Sequence, residues 1–229
     1  NLLERKIVDA VLRIGGVPAP RVWRDLDEKF SQIPVCSISE RPFAGLGRGE
    51  LVHAALRTLL DGVEVPHNFQ SNPSIGLIAA EDRRERARID ALLERYPASE
   101  LGMLGRLAKI IPASASIYLG NSLPVREWDL VCCDTGSARE YAVSRGANGI
   151  DGQLSTFLGW CQPERENWAV LGDLTTLYDL SAPWAFSAMP VLRARIAVIN
   201  NGGGQIFSRM FSSKLFLNEH RLTFDGWAS

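Results

Sequence analysis

An α/β protein, with mostly parallel sheets and helices on both faces, is what this sequence predicts. Three observations point there. Short apolar or β-branched runs alternate with longer amphipathic stretches along most of the chain, the rhythm of strand and crossover helix. Several of those runs end directly in glycine or a small polar residue, as at Gly15-Gly16, Gly120-Asn121-Ser122, Gly172-Asp173 and Asn200-Asn201-Gly202. Finally, 229 residues with 46% apolar and 22% charged side chains are enough for a buried core.

Taken in order, residues 7–14 (IVDAVLRI) read as a strand closed by Gly15-Gly16, Pro18 and Pro20. Pro20 suits the start of a helix over 21–26, and 33–38 then reads as a second strand, completing a β-α-β unit. Gly45-Leu46-Gly47-Arg48-Gly49 fails the GxGxxG spacing because position 50 is Glu50, so it is expected to be a loop. Residues 51–60 suit a helix with room for a short strand before it. Over 64–98 the pattern weakens into a connecting stretch, within which 81–95 forms a charged, solvated helix. The alternation restarts with a helix over 101–111, a strand at 116–119, a helix at 125–131, a strand at 140–144 and a helix at 150–160. A strand at 168–171, one crossover helix over 174–188, a strand at 196–200 and a glycine-rich turn into Gln205-Ile206-Phe207 complete the series.

Bulk properties exclude several classes of function. With 25 basic against 26 acidic residues there is no electrostatic case for nucleic acid or an anionic membrane. No run is long enough for a membrane span and no signal peptide opens the chain. Cys36, Cys132, Cys133 and Cys161 lack CxxC spacing, which fits a reducing, cytoplasmic setting. His53, His67 and His220 show no metal or triad spacing and are given no role. Asn1 stands where a methionine would open a chain, so the sequence reads as a piece of a longer one.

The chemistry concentrates at predicted strand ends, where α/β sheets bind ligands. Asp173 by itself could be a helix N-cap. The Asn-Asn-Gly-Gly-Gly run, whose second asparagine stands 28 residues after Asp173 (201 − 173), makes it more. One crossover would bring the carboxylate and the asparagine pair to the same sheet edge. Carboxylate, amide oxygen and backbone carbonyl are the donors Mg²⁺ takes when it also carries a diphosphate.

A Gly-Asp, a spacer of this length and an Asn-Asn pair resemble the motif of the thiamine diphosphate-dependent enzymes. The third residue of their common motif is glycine, whereas this chain has Leu174. That departure, with 172–179 (GDLTTLYD) and 200–207 (NNGGGQIF), resembles the 2-succinyl-5-enolpyruvyl-6-hydroxy-3-cyclohexene-1-carboxylate (SEPHCHC) synthase family of menaquinone biosynthesis. Two further segments, 120–126 (GNSLPVR) and 144–152 (SRGANGIDG), resemble the same family in the same order.

The resemblance implies a transferase that uses thiamine diphosphate and Mg²⁺ (or Mn²⁺). Its reaction would be decarboxylation of 2-oxoglutarate and 1,4-addition of the succinyl carbanion to isochorismate. It implies metal ligation by Asp173, Asn201 and the Gly203 carbonyl, cofactor contacts from Gly172, Gln205 and Ile206, and amide N–H groups of Leu174 and Thr175 offered to the diphosphate at a helix N-terminus. Ile150 would hold the cofactor in its bent, reactive form. Ser122, Arg126, Arg145, Ile206, Phe207 and Arg21 would form the substrate side, guanidinium suiting the carboxylates.

The implied organisation is a partial Rossmann-like middle domain over 1–80, a linker and surface helix over 81–98, and a diphosphate- and Mg-binding domain over 99–229 cut short at its C-terminal end. A pyrimidine-binding domain would lie outside this chain, which alone would be inactive, and the intact enzyme would be a homodimer or homotetramer. Two other readings stay open: another thiamine diphosphate enzyme of the acetohydroxyacid synthase or 2-oxoacid decarboxylase type, or a non-catalytic α/β domain that binds a ligand or partner.

Overall fold

The computed structural model describes residues 3–18, 20–43, 45–62, 64, 73–132, 139–144, 148–189 and 192–228. The chain divides into two compact units, Asn1–Leu92 and Leu93–Ser229.

In the first unit, β1 (Val11–Ile14), β2 (Val35–Ser39) and β3 (Glu50–His53) pair in that order, all parallel. The crossover α1 (Arg21–Glu28) buries Trp23 and Leu26 against Ile33 and Val35. Both of the first two strands start later than their apolar runs suggest, and Pro34 gives the reason. Val11 donates its N–H to the Pro34 carbonyl, but proline has no N–H with which to extend the ladder. The glycine-rich stretch 45–49 is an ordered loop. Arg48 donates to the carbonyls of Leu26, Phe30 and Ile33, closing the C-terminal end of α1. Gly49, at φ +97°, passes so close to β2 that a Cβ would lie 2.7 Å from the Val35 carbonyl oxygen.

After α2 (Leu56–Asp61) comes α3 (Pro73–Arg95), which begins well before the charged segment that announces it. Pro73 starts the helix rather than breaking it, because the first turn needs no N–H from that residue. Pairs such as Arg84–Glu81, Arg88–Glu85 and Arg86–Asp90 line its solvated surface.

The second unit opens with α4 (Glu100–Ile110), capped by Ser99, whose Oγ accepts the Gly102 N–H. It continues with β4 (Ser116–Leu119), α5 (Leu123–Val131), β5 (Glu140–Val143), α6 (Gln153–Trp160), β6 (Glu166–Gly172), α7 (Asp173–Leu177) and β7 (Arg193–Ile199). The four strands are parallel in the order β5-β4-β6-β7. Every residue of β4 is buried, so both of its faces are covered. Tyr118 turns one way and packs with Ala169, Leu171, Leu154 and Phe157, which places α6 on that face. Ile117 pairs with Tyr141, and Tyr141 meets Trp128 of α5 on the other face.

The crossover from β6 to β7 is not one helix. It is α7 followed by a 3₁₀ segment, Ala182–Ala188. Pro183 stands in the first turn of that segment, where its ring and missing N–H prevent one α-helix from running on from α7. Asp179, just before, is committed to α6, accepting from the Ser155 amide and hydroxyl.

Candidate functional site

The strand order reverses at β4. The chain steps from β4 outward to β5, then returns across β4 to β6 and β7. The crevice beyond the carboxyl ends of β4 and β6 is therefore the switch point at which open α/β sheets bind ligands. Gly120-Asn121-Ser122 leaves β4 there and Gly172-Asp173 leaves β6. The two ends approach closely: Gly120 donates to Val170 O at 2.8 Å, and a Cβ on Gly120 would lie 3.1 Å from that same oxygen. Pro124 at the start of α5 and Thr175 both lie against Gly172.

Asp173 is 3% exposed, and both of its oxygens accept backbone hydrogen bonds. Its Oδ1 accepts the Leu174 N–H at 2.7 Å, and its Oδ2 accepts those of Gly202 and Gly203 at 2.8 and 2.9 Å. One carboxylate thus ties the β6 turn to the turn after β7. His220 Nε2 stands 3.2 Å from the same Oδ2, within ion-pair distance but outside hydrogen-bond geometry. Its Nδ1 accepts from Leu222 N at 3.2 Å, so in the neutral ring the proton sits on Nε2 and faces the carboxylate. His220, given no role from its spacing, stands beside Asp173 in the structure.

Asn201 directs its amide nitrogen at Glu100, 3.2 Å from each carboxylate oxygen. The amide oxygen points the other way and meets no protein donor among the described residues. Gly203 O accepts from Gln205 N at 2.8 Å, and Gln205 Nε2 reaches back to Asn201 O at 3.4 Å.

At the β4 end, Ser122 adopts φ 72°, ψ −130°, a conformation costly for a residue other than glycine. It precedes α5 without capping it by its side chain, and its carbonyl accepts from Arg126 Nη1. Asn121 is 1% exposed. Its amide nitrogen donates to Gly149 O at 2.8 Å and its backbone N–H to Gln153 Oε1 at 2.9 Å. Its Oδ1 is buried with no partner among the described residues. These bonds hold the segment containing half-buried Ile150 near the end of β4.

Among the sequence-predicted residues, Gly172, Asp173, Leu174, Thr175, Asn201, Gly203 and Gln205 gather at one corner, with Ile206 half-buried and Phe207 exposed just beyond it. Ser122 and Arg126 sit together at the β4 end. The Leu174 amide is taken up by Asp173 itself. Arg21 lies in the first unit, ion-paired with Asp25 at 3.2 Å, and Arg145 lies outside the described residues. Glu100 and Gln153 join the site without any sequence motif, and Asn121 lies within the 120–126 segment but without an expected contact.

The donor set fits a hard divalent cation. One carboxylate with a lone pair left on Oδ1, one unpaired amide oxygen and one backbone carbonyl are oxygen ligands of the kind Mg²⁺ takes. Among the described residues no group of three His, Cys, Asp or Glu side chains could hold a metal, and this set contains a single carboxylate.

No known family profile matches the chain. Individual proteins do. All 228 aligned residues, the whole chain, are 47% identical to a SEPHCHC synthase of Bdellovibrio bacteriovorus, of which they cover 42%. The chain resembles a segment of the SEPHCHC synthases. The counterpart from Akkermansia muciniphila is 34% identical over 207 residues, 90% of this chain and 38% of that protein. That from Geobacillus kaustophilus is 37% identical over 216 residues, 90% and 36% of the two chains. The chain therefore spans less than half the length of these relatives. Among solved structures, a protein assigned as a thiamin diphosphate-dependent enzyme from Mycobacterium smegmatis aligns over 85% of this chain and 38% of its own, with TM-score 0.48 and 16% identity. That likeness is too slight to add to what the parallel sheets already show.

Proposed function

We propose that this chain carries the diphosphate- and metal-binding half of a SEPHCHC synthase site. The reaction would be decarboxylation of 2-oxoglutarate and transfer of the succinyl unit to isochorismate, for menaquinone biosynthesis. The observation that carries the reading is the corner itself: Asp173 accepts the amides of Gly202 and Gly203, next in the chain to Asn201, whose amide oxygen meets no donor among the described residues. The names of the relatives and the match along the whole chain support the choice of reaction.

In this reading Asp173, Asn201 Oδ1 and Gly203 O would hold Mg²⁺ or Mn²⁺, and Gly172 and Thr175 would contact the cofactor diphosphate. Thr175 would offer its amide N–H to the diphosphate, the Leu174 amide being held by Asp173, and Gln205 and Ile206 would close the pocket. Thiamine diphosphate, when bound, supplies the electron sink that decarboxylation needs. Ile150 braces the cofactor from the α6 side. Ser122 and Arg126 take a substrate carboxylate, with Arg145 and Arg21 as further anion contacts and Phe207 as a wall. The division into a middle domain over 1–80, a linker over 81–98 and a diphosphate domain over 99–229 belongs to the same reading. So do a cytoplasmic setting and a homodimeric or homotetrameric enzyme. Among the described residues no helix is long and apolar enough to cross a membrane.

The test is substrate dependence in the full-length protein containing this chain. Consumption of 2-oxoglutarate should require thiamine diphosphate, Mg²⁺ and isochorismate together. Turnover that ignores isochorismate would reject this reaction in favour of a simple decarboxylase.

A further inference from the structure

We propose that Glu100 is a positioning residue for the cation corner: its carboxylate orients the Asn201 side chain so that Oδ1, and not Nδ2, is presented beside Asp173. This rests on the reading of Asp173 and Asn201 as cation ligands.

A carboxamide is nearly symmetric in shape, and a half-turn about its last bond exchanges oxygen for NH₂. Only the oxygen can bind a cation, so something must fix the choice. Glu100 does so. Both of its oxygens lie 3.2 Å from Asn201 Nδ2, and an ionised carboxylate accepts hydrogen bonds but cannot donate them. The reversed amide would place oxygen against oxygen.

Glu100 is available for this because Ser99 already caps α4, accepting the Gly102 N–H at 3.1 Å. The contact also joins residues 101 positions apart, linking the start of α4 to the turn after β7. A partner that orients a metal ligand changes metal affinity by about 10–100-fold when removed.

The experiment measures Mn²⁺ affinity by electron paramagnetic resonance, with thiamine diphosphate present and no substrate, in the full-length protein containing this chain. Thermal midpoints without metal report on folding. Glu100→Ala should weaken Mn²⁺ binding by about tenfold. Glu100→Gln should weaken it less, by about threefold, because its carbonyl can still accept from Asn201 Nδ2 while its own NH₂ no longer excludes the reversed amide.

Equal weakening in both variants would mean that Glu100 acts only as a nearby negative charge, and would overturn the proposal. Unchanged affinity in both would reduce it to a helix-start residue and overturn it as well. Asp173→Asn separates the two levels of inference. If it loses Mn²⁺ while both Glu100 variants bind normally, the cation corner stands and the positioning role falls. If it binds Mn²⁺ as the unsubstituted protein does, the corner and the role fall together.

Discussion

Asp173 serves the fold before it serves any ligand. Three backbone N–H groups converge on it from two separate turns. Asp173→Ala strands those donors in a buried place, so a loss of about 3–5 kcal/mol is expected in urea unfolding with no metal or cofactor present. A loss below about 1 kcal/mol would show that the turns hold themselves. Glu127 of α5 makes a second residue-level prediction. Burial first, and the Glu100 carboxyl beside it second, push its carboxyl up to about 8 from an ordinary 4.5. Between those values the folded protein keeps a proton that the unfolded chain has released, so stability falls as pH rises from about 4.5 to about 8. Glu127→Gln should flatten that slope and leave the variant the more stable protein at pH 8. Parallel pH–stability curves for the two proteins would refute the assignment. At this scale the sequence exposed Asp173 and Asn201 because glycine punctuates them within one crossover. Glu100 and His220 escaped it, since each reaches the corner from a distant turn and has no spacing to announce it.

Strand ends and turns carry the geometry, and proline and glycine decide where they fall. The alternation of apolar runs with helical stretches is readable, and β4 occupies the residues expected of it. Boundaries shift where a single backbone group is missing. Pro34 delays β1 and β2, and Pro183 divides the β6–β7 crossover into α7 and a 3₁₀ segment. A proline-aware reading could have found both. Packing across turns could not have been read the same way. Gly203, at φ +135°, lies so close to the 217–219 stretch that a Cβ would fall 2.5 Å from Leu217 O. Its amide is one of the donors to Asp173, and the neighbouring Gly204 N–H bonds Leu217 O while His220 N–H bonds Gly202 O. Gly203→Ala should therefore cost about 2–4 kcal/mol. It should also release the 217–220 stretch, which amide hydrogen exchange would detect as faster exchange at Gly204 and His220. Unchanged protection at both would mean that this latch is not what orders the turn.

Both units leave large apolar side chains in water among the described residues. In the first unit, Leu12 and Ile14 stand 60% and 48% exposed on the face of β1 turned away from α1. In the second, Trp184 and Leu215 are 82% and 90% exposed. Near them in sequence, Phe211 stacks on Phe216 at 4.2 Å and meets Phe207 tilted at 5.8 Å, with Phe216 itself 54% exposed. A lone exposed leucine means little, but a run of stacked aromatics without a cover does. Net charge is only −1, too small to hold copies apart. This chain is therefore expected to self-associate reversibly, its sedimentation coefficient rising between about 1 and 100 µM. Trp184→Glu combined with Leu215→Glu should suppress that rise. Both side chains project into solvent, so the thermal midpoint should move by less than about 2 °C. A chain that sediments as a monomer throughout that range would show that these aromatics tolerate water unaided. Association that survives the double substitution would place the contact on another surface, with the exposed β1 face of the first unit as the next to alter.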